Sequence, residues 1–167
     1  MNALWRPAYV GIGSNLKQPA ARVREACARL RALPAVSSLQ TSRLYSSAPM
    51  GPQDQPQFVN AAAGFVTRLE ARELLDELLA IEQAMGRNRA IRWGPRIIDL
   101  DLLWMLDVAL DEPDLTVPHP GVSMRNFVLY PLADIAPALN IPGLGNVQGL
   151  LRGVGSQGIS VLDEEPV

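Results

Sequence analysis

The chain has 167 residues, 48% apolar and 19% charged, which suits a single domain (residues 1–167) with its own core and excludes a disordered chain. A net charge of −2 argues against broad nucleic-acid binding, and a single cysteine, Cys27, excludes a disulfide framework or a thiolate metal cage. No apolar run approaches the roughly 20 residues of a membrane span, and no basic-then-apolar export signal opens the chain, so a soluble cytoplasmic protein that does not engage membranes is expected.

Tyr9 to Gly13 reads as a short strand ending in a turn at Ser14-Asn15. Ala20 to Leu33 follows as a helix, with Val23, Ala26, Cys27, Leu30 and Leu33 on one face, and Pro34 stops it. Val36 to Ser46 reads as a second strand with weak alternation. The segment from Ala48 to Pro56 is too rich in proline, glutamine and glycine to be an element and reads as a loop. Phe58 to Thr67 is a third strand. Glu70 to Met85 is a second helix with a leucine-rich stripe, and Gly86 suits its C-cap. An arginine-rich loop leads into a fourth strand, Ile98 to Met105. The order β-α-β-β-α-β is that of a ferredoxin-like α+β sandwich, an antiparallel sheet with both helices on one face and a free face for a ligand. Beyond Asp107 the sequence shows a turn at Asp111 to Asp114, a helix near Met124 to Ile135, and a glycine-rich tail ending in a small strand at Ile159 to Leu162.

The most informative stretch runs from Arg92 to Asp101. On a strand, Asp99 and Asp101 point to one face, their Cα atoms about 6.6 Å apart. The opposite face, Ile98, Leu100 and Leu102, is apolar. Two acids on so apolar a strand need a partner, because burying an unpaired charge is costly. Arg87, Arg89, Arg92 and Arg96 supply positive charge nearby. Fourteen of the fifteen basic residues are arginine, so the argument rests on their clustering and not on their identity. Two carboxylates that can bridge hard cations, beside guanidinium groups that can hold the shared anion, form the layout of a phosphate-transfer site. A solvent-facing pair of aspartates is the bland alternative.

Other features are weaker. Gly11-Ile12-Gly13-Ser14-Asn15 lacks the third glycine of a dinucleotide fingerprint and the Gly-Lys-Ser/Thr of a P-loop, so a plain tight turn is the better reading. His119 is the only histidine, placed between two prolines, equally able to be structural or functional. Glu82, one turn before the arginine loop, is either solvated or reaches the site. Phe58 and Phe127 are core residues by default or platforms for a flat heterocycle, and Asn60 would share a strand face with Phe58 and could read the edge of such a ring.

Five blocks together resemble the 6-hydroxymethyl-7,8-dihydropterin pyrophosphokinase family of folate biosynthesis. They are Gly11 to Leu16, Gly51 to Pro56, Phe58 to Ala61, Arg92 to Arg96 with Asp99-Leu100-Asp101, and Val117 to Pro120 through Arg125 to Leu132, spanning residues 9 to 137 in family order. The resemblance implies transfer of the pyrophosphoryl group of ATP to the hydroxymethyl oxygen of the pterin, releasing AMP. It implies Asp99 and Asp101 as ligands of two Mg²⁺ ions, with Arg87 and Arg96 joining them as catalytic residues on the phosphates. Arg89, Arg92 and Trp93 would lie on a mobile loop closing over the site. Glu82, Leu102, Thr116, His119 and Arg125 would complete the ATP site with those arginines. Ser47, Ala48, Met50, Phe58, Asn60, Trp93 and Phe127 would form the pterin site. Ala48 and Met50 stand where proline and leucine are frequent in the family, and Pro120-Gly121 where some members carry tyrosine or arginine. A monomer acting on these two substrates is expected. A non-catalytic binding module of the same fold is the alternative, and a nucleic-acid module is opposed by the net charge and the two aspartates.

Overall fold

The structure is a computed structural model that describes residues 4–49, 51, 53–87 and 97–167. The expectations for Met50, Arg89, Arg92, Trp93 and Arg96 lie outside the described residues.

A six-stranded antiparallel sheet is the frame. Its main path runs β10 (Ile159–Pro166), β3 (Arg43–Ser47), β4 (Phe58–Thr67), β1 (Arg6–Ser14), β5 (Asp99–Met105), and β2 (Val36–Thr41) also pairs with β4. The β3-β4-β1-β5 portion has the expected ferredoxin-like strand order. The single strand expected over 36–46 is instead two, β2 and β3, broken at Ser42. There the Ser42 Oγ accepts the Ala62 N–H at 2.8 Å and the Ser42 N–H donates to the Ala62 carbonyl at 2.9 Å. The pairing with β4 slips by one residue across this point, from Thr41 opposite Ala63 to Tyr45 opposite Asn60. The side-chain hydroxyl keeps the backbone satisfied where the ladder is interrupted.

Helix α1 (Pro19–Arg31) carries proline in its first turn and buries Val23, Ala26, Cys27 and Leu30. Helix α2 (Ala71–Ala84) opens on a reciprocal capping box between Glu70 and Glu73 and buries Ala71, Leu74, Leu78 and Ile81. Both pack on one face of the sheet against Ala8, Val10, Ile12, Val59, Ala61, Ala63, Leu100 and Leu102. Each fully buried leucine here, such as Leu74 or Leu78, is worth about 1.5–3 kcal/mol relative to exposure.

The other face is not left free as the strand order alone suggests. Helices α3 (Asn126–Ile135) and α4 (Val147–Val154) cover part of it and build a second core from Leu103, Trp104, Val122, Leu129, Leu132, Ile141 and Val147. The glycine-rich tail conceals α4. Asn146 caps it by accepting the Gln148 N–H at 3.0 Å and the Gly149 N–H at 3.4 Å, and Val147, Leu150, Leu151 and Val154 form its apolar stripe. The turn expected at 111–114 joins a small hairpin, β6 (Leu110–Glu112) and β7 (Leu115–Val117). A two-strand hairpin, β8 (Asn140–Ile141) with β9 (Gly145–Asn146), links α3 to α4. No helix of the described residues is long and apolar enough to cross a membrane.

Candidate active site

Alternation along β1 and β5 divides their residues between the two faces. Ala8, Val10 and Ile12 enter the first core; Gly11 and Gly13 face the other way. On β5, Leu100 and Leu102 enter the first core, and Asp99, Asp101 and Leu103 face the other way. A register shift opposite Tyr9 and Val10 leaves Leu103 without a partner in the pairing of β1 with β5. Leu103 and Trp104 consequently both turn toward α3, with Trp104 stacked against Tyr9 at 5.9 Å.

A cleft opens on this second face. Two rows of register partners form its floor. In one, Asn60 pairs with Gly13 and Gly13 with Asp99; in the next, Ala62 pairs with Gly11 and Gly11 with Asp101. Asn60 and Asp99 are therefore two strand spacings apart, about 9–10 Å, with a bare glycine between them. A Cβ on Gly13 would stand 3.1 Å from the Asn60 Oδ1, and one on Gly11 would stand 3.3 Å from a Leu103 methyl. The Gly11-x-Gly13 pair lies inside β1 and keeps the floor of the cleft open, so the tight-turn reading of this motif gives way to a spatial one. Ser47 and Phe58 line it from β3 and β4, and Phe127 and Val128 from the first turn of α3, with Arg125 just before that helix.

The residues after the glycines hold the neighbouring loops. The Ser14 hydroxyl donates to the Ile97 carbonyl just ahead of β5. The Asn15 amide donates to the Pro56 carbonyl at 3.0 Å and to Gln55 Oε1 at 3.1 Å. Asn60 is only 5% exposed, and its Nδ2 donates to the Ser47 hydroxyl at 2.6 Å, which turns its Oδ1 over Gly13.

Charge is concentrated at the other end. Glu82, on the last turn of α2, is 1% exposed and turned into the site. Its Oε2 accepts the Leu100 N–H at 2.8 Å, satisfying an amide on the outer edge of β5, and also accepts Arg87 Nη1. The same Nη1 donates to Asp99 at 2.8 Å. Burial opposes the Arg87 charge, but Asp99 and Glu82 outweigh it and raise its pKa above the ordinary value. Its Nε is buried without a partner among the described residues, a donor that an oxygen ligand would satisfy. Asp101, at the foot of the cleft, is pushed up to about 7. Burial is the main cause, Asp99 and Glu82 add to it, and Arg125 and Arg87 pull the other way.

Arg125 reaches the cleft because residue 121 is glycine: a Cβ there would lie 2.6 Å from its Nε and Cζ. The His119 N–H donates to the Leu103 carbonyl at 2.8 Å, tying its segment to β5. Its Nδ1 accepts the Gly121 N–H at 3.0 Å, which assigns the imidazole proton to Nε2. Burial first and Arg125 second lower its pKa, with Asp99 opposing, so the ring is neutral near pH 7.

Glu82, Arg87, Asp99, Asp101 and Arg125 thus converge, as do Ser47, Ala48, Phe58, Asn60 and Phe127 around the cleft. Thr116 and His119 do not line the cleft, and the Leu102 side chain is turned away from it into the first core. Gly11, Gly121, Leu103 and Val128 shape the site without having been singled out for it. The signal for Gly11 was legible in the alternation of Ala8, Val10 and Ile12; the others depend on a register shift and on the docking of α3.

No group of three or more His, Cys, Asp or Glu that could hold a metal occurs among the described residues. Two carboxylates on one strand face still suit Mg²⁺, which completes its shell with water and phosphate oxygens. Burial first, and Asp99 and Glu82 second, hold Asp101 against ionisation, and a cation beside it would favour its charged form.

A family model described as 7,8-dihydro-6-hydroxymethylpterin-pyrophosphokinase matches residues 9–137. The chain is 46% identical over 154 residues to the 2-amino-4-hydroxy-6-hydroxymethyldihydropteridine pyrophosphokinase of Pseudomonas aeruginosa, covering 92% of this chain and 95% of that one. It is 42% identical over 145 residues to the protein of the same name from Haemophilus influenzae, covering 87% and 91%. Among solved structures, a Plasmodium falciparum HPPK-DHPS crystal structure with SDX-DHP superposes with a TM-score of 0.73 at 14% identity, over 95% of this chain and 49% of that chain. The triple mutant of the same protein with pteroate gives 0.72 at 14% identity, over 95% and 47%. At that identity the likeness shows the fold alone, and this chain spans about half of each of those chains.

Proposed function

The chain belongs to the 7,8-dihydro-6-hydroxymethylpterin-pyrophosphokinase family, and from that premise we propose that it transfers the pyrophosphoryl group of ATP to 6-hydroxymethyl-7,8-dihydropterin in folate biosynthesis. The hydroxymethyl oxygen forms the new bond to the β-phosphorus, the bond from that phosphorus to the α-phosphate oxygen breaks, AMP leaves, and the hydroxyl proton is lost.

The observation that carries the reading is the pair of rows across the sheet. Asn60, suited to a ring edge, and Asp99, suited to a metal–phosphate cluster, stand on either side of Gly13. Two strand spacings match the reach of a bicyclic heterocycle with a one-carbon arm. Phe58 and Phe127 line the cleft as stacking partners for such a ring, and Asn60 offers an amide oxygen to its donor edge.

Asp99 and Asp101 would hold Mg²⁺, two ions by family resemblance. When bound, the metal supplies charge neutralisation for the phosphates and lowers the pKa of the attacking hydroxyl. Arg87 orients Asp99 and has its Nε left for a phosphate oxygen. Glu82 fixes Arg87 and the edge of β5 together. Arg125 brings positive charge to the cleft from α3. The neutral His119 can donate from Nε2 without adding charge. Arg96, Arg89, Arg92 and Trp93 complete the proposal from sequence, on the segment ahead of β5. We take the active unit to be one domain and a monomer.

Phosphorus NMR of the protein with ATP, Mg²⁺ and 6-hydroxymethyl-7,8-dihydropterin tests the reaction. AMP appearing with a pterin diphosphate is the expected result. ADP would replace it with simple phosphoryl transfer, and tight binding of both ligands without turnover would favour the binding-module alternative.

A further inference from the structure

The two walls of the cleft belong to different parts of the chain. Ser47 ends β3 and Ala48 follows it, and Arg125 precedes α3 with Phe127 in its first turn. The far end of α3 is pinned to β3. There Asp134 accepts the Arg43 N–H and Nε, each at 3.1 Å, and the Tyr45 hydroxyl at 2.8 Å. Its near end starts at Arg125 with no side-chain capping bond. Asn126, a residue type suited to capping, instead turns its amide outward. Its Nδ2 donates to the Gln157 carbonyl at 2.8 Å and to the Gly155 carbonyl at 3.3 Å. The next residue along, Gly158, accepts the Ala48 N–H at 3.1 Å, and Ile159 then pairs with Ser47. Gly155 and Gly158 both have positive φ, 69° and 73°, which lets the turn bend back between the two walls. One wall is thus joined to the other through Asn126, the 155–158 turn and Ala48, from behind the cleft and without any residue that lines it except Ala48.

We propose that Asn126 and the 155–158 turn form a brace that sets the width of the cleft and so positions Phe127 opposite Phe58 for stacking of the ring. Asn126 is a positioning residue. The ligand part of the inference rests on the reading that the pterin occupies this cleft; the mechanical part does not. Asn126→Ala removes the donor. Asn126→Asp keeps the shape but also lacks the donor and sets a charge against two carbonyls, so the two variants are expected to behave alike.

The test uses the full chain and three readouts: dihydropterin affinity, affinity for a non-hydrolysable ATP analogue with Mg²⁺, and hydrogen exchange at the Ala48 amide. Losing one or two ordinary hydrogen bonds should weaken dihydropterin binding about 5- to 10-fold and leave the nucleotide within about twofold. The Ala48 amide should exchange faster in both variants. Unchanged exchange at Ala48 would overturn the brace whatever binds in the cleft. Faster exchange with unchanged dihydropterin affinity would overturn its positioning role, and so would equal weakening of both ligands, which is the pattern of a general loss of structure. Wild-type behaviour of Asn126→Asp would remove the donor argument. Asn60→Ala separates the two readings. If it leaves dihydropterin affinity intact, the ring has been placed in the wrong cleft, and the exchange at Ala48 then decides the brace alone.

Discussion

The two faces of the sheet are built from the same strands and obey different rules. Toward α1 and α2, alternate residues along the middle of β1, β4 and β5 are apolar and buried, and the packing is continuous. Toward α3 and α4, the same strands present Gly11, Gly13, Asn60, Asp99 and Asp101, and the helices cover only part of them. The first face stabilises the sheet. The second stores cost: a polar amide 5% exposed and an acid, Asp101, whose pKa is pushed up to about 7 by burial first and by Asp99 and Glu82 second. That cost is tolerable because the first face, on the reverse of the same strands, supplies the burial that holds them in place. The difference teaches that stability and activity should separate by residue parity along a single strand.

β5 offers the sharpest way to break the comparison. Asp99→Ala or Asp101→Ala should lower turnover on the order of 10³-fold or more, since each removes a group proposed to hold the metal–phosphate cluster. Thermal denaturation should show little loss of stability. Near-normal turnover in either variant would remove the metal assignment. Leu100→Ala, between the two acids on the opposite face, should do the converse. It should cost about 2–5 kcal/mol of stability in urea unfolding and leave kcat/KM close to wild type at low temperature. If Leu100→Ala abolished turnover while the protein stayed fully folded, the division between faces would fail.

The first face was legible in the sequence and the second only in part. Period-2 alternation over 98–105 and the helical stripes over 20–33 and 70–85 follow from burial alone, so α1, α2 and β5 lie close to where the pattern puts them. The strand expected over 36–46 was misread as continuous because the signal of its break is the Ser42 hydroxyl bonding across to Ala62, a non-local contact. Helix α4 was missed because Gly149 and Gly153 lie inside it, although Asn146 and the Val147, Leu150, Leu151, Val154 spacing carry the helical signal. For the site, the paired acids and Asn60 could be read from type and spacing. The role of Gly121 could not, since it depends on what a missing side chain leaves room for in three dimensions. The parity of the strand decides where the Leu102 side chain goes, which is into the first core.

Gly121 gives a sharper and smaller test on the second face. Its hydrogen atom is the space in which the Arg125 side chain lies, and a methyl group would come within 2.6 Å of the Arg125 Nε and Cζ. Arg125 can swing aside, so Gly121→Ala should fold normally. Displacing that charge from the cleft should reduce kcat/KM about tenfold, the scale of one misplaced electrostatic contact. Wild-type kinetics in Gly121→Ala would mean that the position of Arg125 seen here is not the working one.

The smallest effect is a pH dependence of the metal-free protein. Asp101 titrates near about 7 in the folded chain against an ordinary 3.8, with burial as the main cause. A folded pKa above the unfolded one means the folded state binds the proton more tightly. The contribution to stability is fully present below pH 3.8 and is lost as the pH rises through about 7. Asp101→Asn has no proton to lose. The Tm of the metal-free wild type should therefore fall relative to that variant as the pH is raised from about 4 to about 7, and the difference should level off above that. Mg²⁺ should reverse the loss in the wild type, because a cation beside Asp99 and Asp101 favours their ionised form. Its binding at about pH 6 should release protons, measurable by calorimetry in two buffers of different ionisation enthalpy. A constant Tm difference across the range would mean that Asp101 ionises as an ordinary acid, and with it would go the argument that the second face carries charge awaiting a cation.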